Sequence, residues 1–284
     1  MSRNVCAVDF TTNVLQVLLR KKSGEIASNE ALLPTEAIED GKLMQPTAVQ
    51  FYLVRLLAEM GVKGKNCEVR VCLSDSACVT RVLDFPAMPD KDLEKSLRIE
   101  SGRELPLSPE SAYLAWQVVG EEDGRRKVLL TAAWRDVVED YLKAVSGIGF
   151  VSVVEPRAFA LARTVGKPNS LLCEWANDRV QVAQVQDARI AYTASVPLQN
   201  GMGESPQRVA RLVSGLLPRI RRSSEPTEMV LLGKLQGRED ITSEMQTQLA
   251  AGKLSATVDW SPPKPYEQLS ATGQLANVGI LMRN

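Results

Sequence analysis

The sequence predicts an α/β protein built from two similar lobes. The element order β-β-β-α-β starts near Val5 and returns near Leu171, although the two copies share almost no sequence identity. Segment 166–170, which contains Gly and Pro, lies between the copies and is typical of a hinge. The chain has 284 residues, 44% hydrophobic and 24% charged, which is enough for two lobes with an ordinary globular composition. Two lobes about a hinge form a cleft, and such clefts commonly bind ligands.

Short apolar segments joined by tight turns open the first lobe and predict a β-meander. Pro46 then begins a helix, because apolar residues recur at helical spacing from Val49 onward, and Gly61 ends it. One more strand follows this helix. The strands predicted here are Val5–Val8, Val14–Leu19, Glu25–Leu33 and Glu68–Leu73.

A second block is predicted as a subdomain inserted into the first lobe, at about residues 79–154. Its first strand ends at Pro86, and two later strands form a hairpin around the charged turn 120–126. The first lobe, including this insert, is expected to span residues 1–165. The elements predicted here are the strands Val79–Phe85, Tyr113–Val119, Lys127–Trp134 and Phe150–Val154 and the helices Lys91–Arg103, Asp136–Val145 and Pro156–Thr164.

The second lobe is expected over residues 166–284 and repeats the opening pattern. Glycines at 201 and 203 precede its long helix, and Gly273 interrupts the last helix, 267–281, which we expect to pack back on the first lobe. The elements predicted here are the strands Leu171–Trp175, Arg179–Val185, Arg189–Pro197, Met229–Leu232 and Ser255–Val258 and the helices Pro206–Arg222, Ile241–Leu249 and Glu267–Leu281.

Composition excludes several functional classes. The chain has no histidine, which excludes Ser-His-Asp and Cys-His catalysis and histidine-ligated metals. Lys and Arg number 34, as do Asp and Glu, so the formal charge is zero, unlike that of a dedicated nucleic-acid binder. The five scattered cysteines do not form a disulfide framework. No apolar run is long enough to span a membrane, so we expect a cytoplasmic location.

Four motifs carry a resemblance to a known family. Two βββαβα lobes, each with a turn after its first strand that would bind phosphate, resemble the actin-like ATPase superfamily. Residues 81–93, RVLDFPAMPDKDL, and 99–106, IESGRELP, are similar to the middle region of the PilM family of type IV pilus assembly. Residues 34–41 and 279–283 are similar to a turn and to the closing segment of that family. The resemblance implies an actin-like, ribonuclease H-like fold with an inserted α+β subdomain.

The resemblance also locates a nucleotide site, whose first turn is altered. Active relatives have Asp-x-Gly-(Ser/Thr)-x-x-x-Lys after the first strand, where the glycine lets backbone N–H groups approach phosphate and the lysine neutralises charge. Asp9 and Thr12 fit this pattern. Thr11 replaces the glycine and Gln16 replaces the lysine, so a side chain is added and a cation is lost.

The other two nucleotide turns are altered as well. The second turn should read Asp-x-Gly, with its carboxylate holding metal-bound water, but Glu174 and Ala176 stand there. The turn before the long helix keeps Gly201 and Gly203, and the adenosine-side turn keeps one glycine of two, Gly233, followed by Lys234. We therefore expect neither ATP nor Mg²⁺ as a cofactor and no catalytic residue, and interpret Asp9 and Glu174 as polar residues at strand-end turns.

The family resemblance implies a scaffold that binds the N-terminal cytoplasmic tail of a bitopic membrane protein, PilN, next to the pilus motor. A chain of this kind is cytoplasmic and peripheral to the inner membrane. An extended tail gains affinity from backbone hydrogen bonds and a few apolar pockets. We expect its groove between the first lobe and the insert, lined by Leu53, Arg81, Leu83, Phe85, Met88, Leu105, Pro106 and Leu107.

Two alternatives remain open at this stage. One is an ATP-dependent switch with an unusual site that still uses Mg·ATP. The other is the cytoplasmic part of a GspL-type protein of type II secretion, which shares the architecture but would continue past Asn284 into a membrane span.

Overall fold

A computed structural model gives the fold of the chain. It describes residues 3–10, 13–62, 64, 66–104, 108–175, 179–198, 205–220, 228–233, 239, 243–244, 247, 255–257, 262–272 and 274–283. The predicted helix 241–249 falls almost entirely outside these ranges.

The first lobe is a five-stranded sheet in the order β10-β6-β1-β2-β3, covered by helices. Strands β1, β2 and β3 form the predicted antiparallel meander, and β1, β6 and β10 run parallel. Helix α1 buries Val49, Leu53, Leu56 and Leu57 at helical spacing. The elements are β1 (Asn4–Asp9), β2 (Val14–Arg20), β3 (Ile26–Leu32), β4 (Ile38–Glu39), β5 (Lys42–Leu43), α1 (Pro46–Glu59) and β6 (Cys67–Leu73).

The insert is a three-stranded antiparallel sheet, in the order β7-β9-β8, with one helix packed on it. It is smaller than the sequence predicted, because the next two elements belong to the first lobe. Helix α3 packs on α1 in the core of that lobe, and β10 pairs with β6, so the insert ends at Trp134 rather than near residue 154. The elements are a 3₁₀ turn (Asp75–Ala77), β7 (Cys78–Pro86), α2 (Asp90–Glu104), a 3₁₀ turn (Pro109–Ser111), β8 (Ala112–Glu122), β9 (Arg125–Trp134), α3 (Arg135–Val145), β10 (Gly149–Pro156) and α4 (Arg157–Val165).

The second lobe repeats the topology of the first, as predicted. Its sheet has the order β13-β12-β11-β14-β15, with an antiparallel meander and then two parallel neighbours. The elements are β11 (Ser170–Trp175), β12 (Arg179–Gln186), β13 (Arg189–Pro197), α5 (Pro206–Ile220), β14 (Glu228–Gly233) and β15 (Ser255–Thr257).

The last segment of the chain packs against the first lobe. The single helix predicted over 267–281 is a 3₁₀ helix, Glu267–Thr272, followed by α6 (Leu275–Leu281). Helix α6 packs on α4 and against β1, β2 and β6. Its side chains share one core with residues of the second sheet, including Leu172 and Val230, so this core joins the two lobes.

Candidate functional site

Three charged side chains meet where the two sheets face each other. Asp9 ends β1 in the first lobe, Glu174 lies near the end of β11 in the second lobe, and Arg157 is the first residue of α4. The Nε of Arg157 lies 2.7 Å from Oδ2 of Asp9, and its Nη1 donates to Oε2 of Glu174. The three side chains are only 5–6% exposed. We call this cluster the Arg157 triad.

The two carboxylates of the triad stabilise its guanidinium inside the protein. Burial alone would lower the pKa of Arg157, but the charge and hydrogen bond of Asp9 raise it above its ordinary value. A buried guanidinium is tolerated when carboxylates satisfy its donors, whereas a lone buried charge costs several kcal/mol. The triad therefore holds β1, α4 and β11 together only while all three members are present.

A third carboxylate lies beside the triad. Asp75 follows the end of β6, and both of its carboxylate oxygens lie 3.2 Å from the backbone N–H of Ala158 at the start of α4. A carboxylate there compensates the partial positive charge of a helix N-terminus. Burial, opposed by this hydrogen bond, raises the pKa of Asp75 from 3.8 to about 6.

The triad does not fit the metal ion of an active nucleotide site. The carboxylates at the Asp9 and Glu174 positions would have to face a hydrated metal ion, but here both face the guanidinium of Arg157. A divalent cation placed between them would meet the positive charge of Arg157 directly. Within the described ranges, no group of three acidic or thiol side chains is arranged to hold a metal.

Several of the predicted nucleotide residues are placed by the structure. Gln16 pairs with Asp9 across the β1–β2 ladder, and its amide donates to Glu30 of β3 at 3.3 Å. Gly233 has a φ of +66°, and a Cβ there would lie 3.0 Å from the carbonyl oxygen of Trp175. The predicted residues that lie outside the described ranges are Thr11, Thr12, Ala176, Gly201, Gly203 and Lys234.

The two lobes also meet at two further arginines. Arg179 of β12 is buried, and its Nη2 lies 2.7 Å from Oδ1 of Asp40 in the β4–β5 turn. The guanidinium of Arg81 on β7 lies 5.7 Å from the ring centre of Tyr192 on β13. The insert and the first lobe therefore each contact the second lobe through a cation.

The predicted peptide groove is only partly open at its expected residues. Leu53 is fully buried in the core of the first lobe, so its side chain does not line a surface groove. Phe85 is buried in the core of the insert, and Leu83 and Met88 pack against that core, while Arg81 points to the second lobe. The burial of Leu53 and Phe85 corrects the expectation for these two residues, whereas Arg81, Leu83 and Met88 are half-buried. The remaining predicted groove residues, Leu105, Pro106 and Leu107, lie outside the described ranges.

Exposed apolar side chains nevertheless lie on the first lobe and on the insert, the two units between which the groove was predicted. On helix α1 of the first lobe, Phe51 and Val54 are exposed, next to the buried Leu53. On the insert, Ile99 of α2 is 60% exposed and Tyr113 of β8 is 41% exposed. Tyr113 stacks with Arg135, whose Cζ lies 4.1 Å from the ring centre, at the junction with α3.

Arg157 is the functional residue that sequence reasoning did not find. Its partners lie 148 and 17 positions away in the chain, so no local pattern connects them. One signal was present: an arginine directly after Pro156 begins a helix, and the first turn of a helix favours anionic rather than cationic side chains. An arginine there needs carboxylates nearby, and the two altered turns supply them.

Comparison with known proteins gives the family. The family model described as "Type IV pilus assembly protein PilM" matches residues 8–198. Comparison with curated proteins by sequence found no match. The part of the chain that the structure describes contains no helix long and apolar enough to cross a membrane.

Solved structures share the fold at low sequence identity. The PilM-PilN type IV pilus biogenesis complex matches with a TM-score of 0.73 and 18% identity, over 99% of this chain and 97% of that one. The cytoplasmic domain of EpsL, an inner-membrane component of type II secretion in Vibrio cholerae, matches with a TM-score of 0.52 and 15% identity, over 81% and 82%.

A third solved structure shares the fold. The ethanolamine utilization protein EutJ from Carboxydothermus hydrogenoformans matches with a TM-score of 0.56 and 10% identity, over 98% of this chain and 89% of that one. The two-lobed actin-like architecture predicted from the sequence is thereby confirmed. Because the family model covers most of the chain, including the whole insert, this protein belongs to the PilM family of type IV pilus assembly proteins.

Proposed function

We propose that this protein is a scaffold of type IV pilus assembly that binds the N-terminal cytoplasmic tail of a PilN-like membrane protein and does not hydrolyse ATP. Membership of the PilM family supports the pathway. The likeness to a PilM–PilN complex supports the kind of partner. In this role the protein lies in the cytoplasm, at the inner membrane, next to the pilus motor.

The observation that carries the scaffold role is the Arg157 triad. Both strand-end carboxylates pair with one buried guanidinium, so the cleft between the lobes is joined by protein atoms at this point. Two lobes tied together by buried ion pairs keep a fixed relative orientation. A fixed orientation suits a protein that presents a surface, and it does not suit a switch that opens and closes around a nucleotide.

The tail-binding surface is proposed at the junction of the first lobe with the insert. Ile99 precedes the tract 105–107 in the chain and Tyr113 follows it, and both side chains are exposed. Phe51 is exposed on α1. Apolar side chains that stay exposed around a junction of two units are typical of a peptide-binding surface. An extended tail would add backbone hydrogen bonds to the apolar contacts.

Binding of the tail can be tested by calorimetry with a synthetic peptide that copies the first residues of the PilN-like protein encoded with this chain. We expect saturable binding that Tyr113→Asp and Leu107→Asp each weaken at least tenfold. Phe150→Asp is the matched control, because Phe150 is 47% exposed on β10, in the first-lobe sheet and outside the insert. Absence of peptide binding, or equal binding by all variants, contradicts the proposed surface.

Titration with Mg·ATP tests the other half of the proposal. We expect no binding tighter than about 100 μM, which corresponds to about −5.5 kcal/mol. Tighter binding, with release of phosphate over time, would favour the ATP-dependent switch instead. If the peptide fails but the tail of a type II secretion component binds, the GspL-type alternative is supported.

A further inference from the structure

A polar cavity lies between the insert and the second lobe, apart from the Arg157 triad. Its volume is about 210 Å³. One wall is formed by Asp75, Ser76 and residues 78–81, at the start of the insert. The other wall is formed by residues 193–195 of β13. No member of the triad is among the described residues that line it.

Arg81 is the basic side chain among the residues that line this cavity. Its Nη1 donates to the carbonyl oxygen of Thr80 at 2.9 Å, and its guanidinium lies over the ring of Tyr192. No acidic side chain of the described ranges lies within 4 Å of it, although it is half-buried. An arginine has five N–H donors, so most of the donors of Arg81 remain for a ligand.

Hydroxyl groups supply further donors on the opposite wall. In the part of the chain that the structure describes, the hydroxyl of Thr193 has no hydrogen-bond partner. The hydroxyl oxygen of Ser195 accepts from Nη1 of Arg179 at 3.4 Å, which leaves its own proton to donate. Arg179 is itself balanced by Asp40, so it fixes Ser195 without adding a net charge.

The remaining polar groups of the cavity already have partners. The hydroxyl of Ser76 donates to the carbonyl oxygen of Asp40 at 2.8 Å, and that of Thr80 lies 3.3 Å from the hydroxyl of Thr131. The carboxylate of Asp75 is held at the N-terminus of α4 by the N–H of Ala158. Asp75 nevertheless lines the wall, and its negative charge opposes an anion there.

We propose that this cavity binds a small oxyanion, either free phosphate or the phosphate of a small phosphorylated molecule. A guanidinium and two separate hydroxyl donors match three oxygens of a tetrahedral phosphate. The cavity, at about 210 Å³, is larger than a single water site and leaves space for a short body attached to the phosphate. Binding there would join the insert to the second lobe, because the donors come from both.

The test is calorimetric titration of the full chain with inorganic phosphate and, separately, with glycerol 3-phosphate. Saturable binding of either one at millimolar or lower concentration is expected. Tighter binding of glycerol 3-phosphate identifies a phosphorylated molecule as the ligand, and equal binding identifies free phosphate. The absence of saturable binding in both titrations overturns the proposal.

Substitutions then give a signature that depends on charge. We expect Arg81→Gln to weaken binding at least tenfold and Thr193→Val, which keeps the shape of the side chain, about threefold. Asp75→Asn should tighten binding, because it removes the opposing charge. Arg125→Gln is the control, since Arg125 is exposed on β9 and pairs with Asp84.

Two further results separate a bound anion from an unrelated effect. Arg81→Gln also removes the contact with Tyr192, so its melting temperature without phosphate is compared with that of the wild type, and Thr193→Val tests the site if the arginine variant is unstable. Binding that is unchanged in both Arg81→Gln and Thr193→Val places the ligand elsewhere and contradicts the proposal. The outcome is independent of the tail peptide, which is titrated in separate experiments.

Discussion

Gly279 of α6 lies directly against the carbonyl oxygen of Ala160 of α4. A Cβ built on Gly279 would collide with that oxygen and with the hydroxyl of Thr164. This hydroxyl also donates to the carbonyl oxygen of Leu275 at 2.8 Å, so the two helices are bonded as well as packed. The close approach explains why the closing segment 279–283 begins with glycine.

Gly279→Ala should therefore destabilise the protein. Because the colliding atoms belong to the backbone of α4, we expect a loss of about 1–3 kcal/mol in the free energy of unfolding, measured by urea denaturation. Gly215→Ala is the matched control: Gly215 is exposed on α5 with open space around its Cβ position. That change should stabilise the protein by up to about 1 kcal/mol, and similar effects of the two variants would contradict the packing described here.

Arg157→Met should be strongly destabilising, because it leaves the carboxylates of Asp9 and Glu174 buried without a counter-charge. We expect a loss of about 3–5 kcal/mol in unfolding free energy. Arg55→Met removes an exposed pair with Glu59 and should change it by no more than about 0.5 kcal/mol.

A rescue variant separates lost charge balance from lost packing at the same place. Combining Arg157→Met with Asp9→Asn and Glu174→Gln removes all three charges and should recover part of the stability. If the combined variant is no more stable than Arg157→Met alone, the charges of the triad are not what the fold depends on.

The raised pKa of Asp75 predicts that the stability of the protein depends on pH. Its pKa is raised from 3.8 to about 6, mainly by burial, so the folded protein binds this proton more tightly than the unfolded chain does. The resulting stabilisation is complete below pH 3.8 and is lost as the pH rises toward 6. The loss is at most about 3 kcal/mol, and partial exposure of the carboxyl reduces it.

Asp75→Asn should flatten the stability profile between pH 4 and 6, since the amide keeps an acceptor for the N–H of Ala158 but does not titrate in this range. Urea denaturation at several pH values measures the slope. Asp136→Asn, at an exposed position in the first turn of α3, should leave the slope as in the wild type. If the pH dependence of stability persists in Asp75→Asn, it arises from another titrating group.

Hydrogen bonds from Arg70 stabilise the end of helix α6. Its Nη1 donates to the carbonyl oxygens of Ile280 at 3.1 Å and Leu281 at 3.3 Å, at the end of α6. Arg70→Met removes charge-assisted hydrogen bonds of about 1.5–3 kcal/mol each, so amide hydrogen exchange in 275–282 should become at least about tenfold faster. Arg98→Met, at an exposed position on α2, should leave that exchange unchanged.

The sequence was sufficient for the features that depend on local patterns. The spacing of Val49, Leu53 and Leu56 predicted both helix α1 and its buried face, and the meander that opens each lobe was predicted from its short apolar segments and tight turns. The motif at 81–93 led to the correct family. These signals lie within short windows of the chain, where periodicity and turn residues determine structure.

Features that depend on contacts between distant segments were not predictable in the same way. The boundary of the insert was wrong because the partner of β10 is β6, which pattern alone does not specify. Leu53 has the right character for a groove, but the same apolar character suits a core, and the core is where it lies. The role of Arg157 depends on Asp9, which is 148 positions away.

The contact between Arg157 and Glu174 has a mechanical consequence. Any rotation of one lobe away from the other about segment 166–170 must separate these two groups and expose opposite charges at once, while the shared core around α6 resists the same movement. These contacts oppose rotation of the two lobes relative to each other. If the proposed tail binds at the insert, a pull on that tail would reach the far lobe with little change in the angle between the lobes.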